Sequence, residues 1–510
     1  MNSIEMAQLS AKENNRISEL FANKTILITG GTGFLGKVLI EKLLRLCPEV
    51  KKIYILIRPK TTKSGFERLK DTFNDPLFEL VKKIHGDTLF EKIEAVAGDL
   101  TASNLDLAEA DRKKLIEETE IIYHSGASIK FDEPLKNAVL LNVRGTKLML
   151  ALAKECKKLM IFCYVSTAFC HEDREVVYER TYEAPTNPHH IIEACEWINE
   201  KVLDSIAMKI RGVRANNYSF TKALAEALVD EQMDNLPVII QRPSAVTPIW
   251  KDPFPGWTDN LNGPTGFLVG AGKGVIRTMH GKKDQYFDII PVDILINGLL
   301  CTAFDFITHR SRRVYNLTSS NEIQVTFEDM CETGKEIITT ELPFNSFLWC
   351  PGGSIRQMRL HHIIIFVFYQ LLPALLLDPF LYILGYKPFL VRVQKKIWKG
   401  YQILEYYTSR SWLFNKENLR TAQKFLNSTE KTIFKSDLEN FNLKDYFTDA
   451  IRGARRYILK DKDEDVPLAL KRMRVIFYVD KLLNIMLTLG FFYYVLLILI
   501  NFLHHKQIGI

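Results

Sequence analysis

The sequence predicts an α/β protein in which a doubly wound parallel sheet is followed by a mainly helical C-terminal part and a transmembrane helix. Three observations carry this. Short, uniformly apolar runs alternate with segments long enough for a helix. Past about residue 330 the rhythm changes to helical and aromatic segments around Trp349, Trp398, Trp412 and Phe414. Near the end, residues 482–503 are 22 in a row without a charge. Strands that are apolar on both sides belong to a parallel sheet with helices on both faces.

In order along the chain, strands are expected at 25–28, 53–57, 93–97, 121–123, 159–165 and 237–240. The first ends in a glycine cluster, and Val38, Leu39, Leu43 and Leu44 then carry a helical pattern. The predicted units are 22–345 and 355–460, with the boundary between them in 340–360, and a membrane anchor at 482–503. As a helix the uncharged run LLNIMLTLGFFYYVLLILINFL extends roughly 33 Å, the thickness of a bilayer core. A second apolar stretch, 363–377, is 15 residues long and holds Gln370 and Pro373. It reads as interfacial, re-entrant or core rather than as a full span.

Composition narrows the function. Of 510 residues, 47% are hydrophobic and 25% charged, enough for a large packed core and unlike a disordered chain. The net charge of +7 is spread along the chain rather than gathered in basic runs with interleaved aromatics, which excludes nucleic-acid binding as a first reading. Acidic ligands and anionic membranes stay open. The eight cysteines form no C-x-x-C pair, and adjacent histidines such as His189 and His190 point in different directions, so neither a disulfide framework nor a metal is expected. Residues 1–24 are polar, with Glu5, Lys12, Glu13 and Arg16, so passage into the secretory lumen by a signal peptide is not expected.

The first chemical signal is TGGTGFLG at 29–36, between a strand and a helix. Gly30, Gly33 and Gly36 allow a tight turn, close approach to a pyrophosphate and close packing of helix on strand, with Phe34 and Leu35 completing the turn. This is the signature of a Rossmann dinucleotide site. Where an NAD enzyme places an acid after the second strand, this chain has Arg58 and then Lys60, a pair suited to the 2′-phosphate of NADPH. Asp99 and Leu100 follow the third strand at the adenine, and Ala127 follows the fourth beside the cofactor.

The second signal is Tyr218-Ser219-Phe220-Thr221-Lys222. Four residues apart on a helix, Tyr218 and Lys222 share a face, so the ammonium can lower the phenol pKa and reach the nicotinamide ribose. Hydride delivered to a carbonyl carbon leaves charge on oxygen. A positioned phenol supplies the proton and a nearby hydroxyl stabilises the charge. Thr167, after the fifth strand, is the expected hydroxyl, with Ser166 the second choice.

Together TGGTGFLG, VSTAF at 165–169, YSFTK at 218–222, RPSAV at 242–246, PGWTDNLNGPTG at 255–266 and IPVDILIN at 290–297 resemble the animal, insect-type alcohol-forming fatty acyl-CoA reductases. That family is an extended short-chain dehydrogenase/reductase with a helical C-terminal domain, and the resemblance covers about 22–460. It implies NADPH at Gly30, Gly33 and Gly36, and catalysis by Tyr218 and Lys222 with Thr167. It also implies that a long-chain acyl-CoA is reduced through an aldehyde to a primary alcohol with two NADPH. A reductase stopping at aldehyde shares every motif. A sterol or sugar-nucleotide reductase lacks the 256–266 segment and the tail, and a non-catalytic NADPH-binding membrane protein has no need of the Tyr218/Lys222 pair.

Lys471, Arg472, Arg474 and Lys481 precede the span and only Lys506 follows it, which places the catalytic part in the cytosol. Membrane lipid is thus an expected partner, at the endoplasmic reticulum or the peroxisome, although Ile508-Gly509-Ile510 is not the peroxisomal triplet. Oligomerisation stays open.

Overall fold

A computed structural model describes residues 15–59, 64–320 and 322–507. Lys60, most of the polar N-terminal stretch and Ile508-Gly509-Ile510 lie outside them. The centre is a seven-stranded, all-parallel sheet. In chain order its strands are β1 (Thr25–Thr29), β2 (Lys52–Ile57), β3 (Ile93–Ala97), β4 (Ile121–His124), β5 (Ile161–Val165), β6 (Val238–Pro243) and β7 (Val314–Leu317). Their spatial order is β7-β6-β5-β4-β1-β2-β3, so direction across the sheet reverses at β1. At that switch point the crevice outside the strand ends is the expected ligand site.

The pleat sorts the core. Ile26 and Ile28 of β1 join the cluster on one face, with helix α1 (Phe34–Leu46), and Leu27 joins the other. That second face is covered by α2 (Gly145–Glu155) and α3 (Asn217–Asp230), through Met149, Leu152, Phe220 and Leu224. Six strands match those expected within a few residues. The seventh, VYNL, follows α4 (Val292–His309), which is long and apolar but lies against α1 inside the protein.

The C-terminal residues continue the same core, since Ile433, Phe434, Tyr446 and Ile451 share a cluster with α1 and α4. Glu179 ties β7 to this part by accepting from the backbone N–H of Asn316 (3.0 Å), Leu419 (3.2 Å) and Asn418, while burial pushes its carboxyl up to about 7. Beyond α5 (Phe327–Thr340), α6 (Arg359–Ile383) runs out with Leu376, Phe380 and Ile383 exposed, and α7 (Leu390–Thr408) returns from the turn. The apolar stretch expected at 363–377 is therefore neither a core helix nor isolated: it is the middle of α6. Finally α8 (Val466–Gln507) docks by Ala469 and Met473, then leaves the protein with an apolar surface on all sides.

Candidate active site

The glycine turn opens at the C-terminal end of β1. Gly30 has φ +74°, and a Cβ there would stand 3.0 Å from the backbone of Gly126, so only glycine fits without strain. At Gly36 a Cβ would lie 2.4 Å from the Gly30 carbonyl and 2.5 Å from the Gly31 Cα, which is why α1 packs so close to the turn. Gly33 is the N-cap of α1, and Phe34 and Leu35 begin the helix. No side chain caps it, so its first amides and positive dipole end face the crevice. A cradle that a Cβ would fill, at an uncapped helix start, fits a dinucleotide pyrophosphate.

The sequence-marked residues after the other strands line the same edge. Arg58 follows directly on β2 and is exposed, as a contact to a phosphate requires. Asp99 lies after β3, where its carboxylate accepts from Thr101 N and Oγ1 at 2.8 Å each and fixes that turn. Leu100 packs against Gly126 and Gly145. Ala127 follows β4 next to Gly126, whose amide donates to Thr29 Oγ1 at 3.0 Å.

The family-like segment 255–266 is locked over α1. Buried Asp252 pairs with Lys42 and with Arg45 (2.7 Å), Trp257 stacks on Phe34 at 5.6 Å, and the Trp257 indole donates to Asp75 at 2.9 Å. Lys37 of α1 bridges Asp75 (3.2 Å) and Asp259 (3.1 Å).

The reactive groups converge from β5 and α3. Asn216 caps α3 by accepting from Ser219 N at 2.9 Å, which sets Tyr218 and Lys222 in the first turns. Lys222 is buried, donates to the Val165 carbonyl at 2.7 Å and lies 4.8 Å from the Tyr164 ring centre. Burial lowers its pKa to about 8. Thr167, two residues past β5, is buried beside the phenol, and its hydroxyl donates to the Pro243 carbonyl at 3.4 Å. The Tyr218 phenol is raised by burial, and the Thr167 hydroxyl pulls it back only in part. The expectation that Lys222 lowers the phenol is therefore not what the geometry gives: the ammonium is committed to Val165, and burial governs both groups. Ser166 faces Cys170 instead, at 3.8 Å.

Sequence reasoning missed three supports. Asn142, in a π-turn at Val139–Arg144, donates to Thr221 Oγ1 (3.0 Å) and accepts from Ser128 N (2.8 Å), pinning the loop after β4 to α3. Tyr407 of α7 accepts from Asn216 at 2.8 Å and stacks on Phe131 (5.6 Å), which in turn packs on Tyr218 (5.8 Å). Buried Glu226 accepts from Arg242 (2.6 and 2.9 Å) and contacts His171 (2.9 Å). Donor atoms of Cys170, His171 and Glu226 lie within 4.8 Å of one another, but the guanidinium already neutralises the carboxylate, so the group is a charge network. No linear motif marks these contacts, which join residues as far apart as Asn216 and Tyr407.

Comparison with known proteins agrees with this geometry. An NAD-binding family model described as male sterility protein matches residues 28–299, and a second model of the same description, Sterile, matches 369–461. Fatty acyl-CoA reductase 1 of Xenopus laevis is 35% identical over 462 residues, covering 90% of this chain and 89% of the relative. Fatty acyl-CoA reductase wat of Drosophila melanogaster is 34% identical over 464 residues, covering 90% and 89%. Among solved structures, the reductase domain of a nonribosomal peptide synthetase from Mycobacterium tuberculosis has a TM-score of 0.56 at 18% identity, over 89% of this chain and 98% of that one. The terminal R domain of the myxalamid pathway has a TM-score of 0.54 at 20% identity, over 86% and 97%. These two likenesses speak to the fold.

Proposed function

The chain belongs to the fatty acyl-CoA reductase family of animals, and from that premise we propose that it converts a long-chain acyl-CoA to a primary alcohol and CoA through an aldehyde held in the site, with two NADPH consumed. The observation that carries this reading is the meeting of Tyr218, Thr167 and Lys222 at the same sheet edge as the glycine turn.

NADPH, when bound by the glycine turn and Arg58, supplies one hydride in each round. The protein's own groups do the rest. A thioester carbonyl oxygen between the Tyr218 and Thr167 hydroxyls has its developing charge stabilised as the hydride adds. Because burial holds the phenol pKa up, Tyr218 stays protonated at neutral pH and is loaded as an acid. Collapse of the tetrahedral species breaks the C–S bond, CoA leaves as thiolate, and the aldehyde remains. In the second round the same phenol protonates the alkoxide, giving the alcohol. Lys222, anchored on Val165, orients the nicotinamide ribose and holds a positive charge behind the reaction. Asn142 and Tyr407 hold α3 and the tyrosine ring in place.

In this reading 22–345 is the cofactor-binding reductase unit and 355–460 the helical unit that closes the site with Tyr407. The 482–503 part of α8 is the anchor, with the catalytic part in the cytosol, at the endoplasmic reticulum or the peroxisome. Exposed α6 rests in the same membrane interface. The test is product analysis of the full-length protein with NADPH and acyl-CoAs of varied length. Long-chain alcohol with two NADPH oxidised per molecule supports the reading. Aldehyde as the end product, with one NADPH, overturns its second round.

A further inference from the structure

A cleft of about 750 Å³ opens between α6 and α8 where both leave the protein. It shares none of its lining with Tyr218, Lys222 or Thr167, so the chemistry above gives it no task. Its walls are of two kinds. One wall carries Arg277, Lys335, Arg356 and Arg474, of which Arg474 is exposed. Against these four cations stands one lining carboxylate, Asp480, already engaged by the Trp349 indole and by Arg277 at 3.3 Å. Arg277 also donates to the Cys350 carbonyl at 3.1 Å, and Lys335 has an exposed ion pair with Glu332 at 3.9 Å. The other two are less committed. Among the described residues, Arg474 has no ion-pair partner and the buried Nε of Arg356 has no acceptor.

The other wall is apolar, made by Ile364 and Tyr369 of α6 and by Phe477 and Tyr478 of α8. The two helices stay joined there, Tyr369 donating to Asn484 at 3.4 Å. Asn484 lies at the start of the uncharged run, and Arg474 a little over two helical turns before it begins. The cations thus stand at the level of lipid headgroups, and the apolar wall leads from them toward the acyl layer.

We propose that this cleft binds one anionic phospholipid drawn from the host bilayer, its headgroup held by Arg356 and Arg474 and its chains running out between α6 and α8. The proposal rests on the membrane reading of α8. Uncompensated cations select the anionic headgroup, continuity with the apolar helices selects a lipid, and the volume admits a headgroup with the upper part of its chains. An acyl-CoA also joins phosphate to an acyl chain. It is disfavoured because nothing in the cleft could reduce it, and it becomes an arm of the test.

Full-length protein in neutral detergent is titrated with dioleoyl phosphatidylserine, dioleoyl phosphatidylcholine or palmitoyl-CoA, and bound molecules are counted by native mass spectrometry. The expected result is one phosphatidylserine retained on the order of tenfold more tightly than phosphatidylcholine, the preference due to charge-assisted contacts. Arg356→Gln combined with Arg474→Gln should remove that preference and leave NADPH binding, which reports folding, unchanged. If the double variant fails to bind NADPH, exposed Arg474→Gln alone should still lower phosphatidylserine retention about threefold. Equal retention of the two phospholipids, a palmitoyl-CoA retention that the double variant lowers more than it lowers that of phosphatidylserine, or unaltered phosphatidylserine binding in the variants each overturns the proposal. Alkaline carbonate extraction of wild type and variants reads the anchor separately: release of the wild type would end the membrane reading, while the detergent titration still decides the cleft.

Discussion

Helices α4 and α8 are both long and apolar enough to cross a bilayer, yet 83% of the most apolar window of α4 is buried and none of that of α8 is. The difference lies in their polar residues. On α4, Asp293 accepts from the amides of Trp250 and Lys251 (2.9 Å each), Asn297 donates to the Lys435 carbonyl (2.7 Å), and Asp305 accepts from Arg312 and Tyr315 (2.7 Å). Every one of these side chains has a partner elsewhere in the fold, and in lipid each would be orphaned. On α8 past Asn484 the only described polar contact is local, from Thr488 to the carbonyl of Asn484. Mean hydropathy is 1.3 for the window on α4 and 2.3 for that on α8, so composition alone lets both pass as spans. Addressed polar groups mark α4 as a core helix, and the described residues of α8 past Asn484 have none.

The largest expected effect separates them directly. Leu300, fully buried on α4, replaced by arginine places an unpaired charge in the core, at a cost of several kcal/mol out of a typical total of about 5–15. Leu300→Arg should leave no folded protein by circular dichroism and no NADPH binding. Leu496→Arg on α8 should fold and bind NADPH as before, with weaker membrane retention, since arginine in mid-span costs roughly 2.5–3.5 kcal/mol. A folded Leu300→Arg protein would break the comparison.

The next effect lies wholly on the buried side. Tyr218→Phe should lower turnover by about 10² to 10⁴ and leave NADPH affinity almost unchanged, because the phenol serves the developing oxyanion. Retention of more than about a tenth of wild-type turnover in a steady-state assay would remove Tyr218 from the acid role. No variant confined to α8 should reproduce that loss.

The same contrast explains what was legible beforehand. Strands β1 to β6 are short apolar runs in sequence, and the glycine turn and Y-x-x-x-K helix are local patterns, so each could be read without tertiary information. Strand β7 was not found. Its VYNL is four residues long, and Asn316 belongs there because its Nδ2 donates to the Val177 carbonyl at 3.0 Å, a contact made across the fold. Likewise Tyr407 reaches the active site only because α7 returns to it from the exposed turn after α6. Asn142 needs the π-turn, which has no sequence signature. The 363–377 stretch reads as interfacial, re-entrant or core because 15 residues are too few for a full span. In the structure it is part of a longer helix that begins at Arg359.

A smaller effect concerns cofactor choice. Arg58→Ala should weaken NADPH binding by on the order of 1.5–3 kcal/mol, the range for a hydrogen bond to a charged group, and leave NADH binding nearly intact. Fluorescence titration with both cofactors checks it. Equal losses would mean that the Arg58 side chain supports the turn rather than the phosphate, since its carbonyl, which accepts from Arg68 at 2.7 Å, persists in the variant.

The smallest effect is a pH dependence. Burial depresses the Lys222 ammonium from 10.5 to about 8. Below that value it is charged, and above it the proton is lost, so kcat/KM should fall about tenfold per unit as pH rises past 8. The stability contribution of the same group runs the other way. Between about 8 and 10.5 the unfolded chain holds the proton that the folded chain has released, so unfolding free energy from this group rises with pH across that window. Activity lost while thermal stability holds or rises would identify the limb with Lys222. If both fall together, the limb is unfolding. Lys222→Arg sharpens the test, since its charge persists throughout the range and any residual activity should lose the alkaline limb. Leu496→Arg on α8 should leave the limb where it is, because the contacts of Lys222 lie with Val165 and Tyr164 of the sheet.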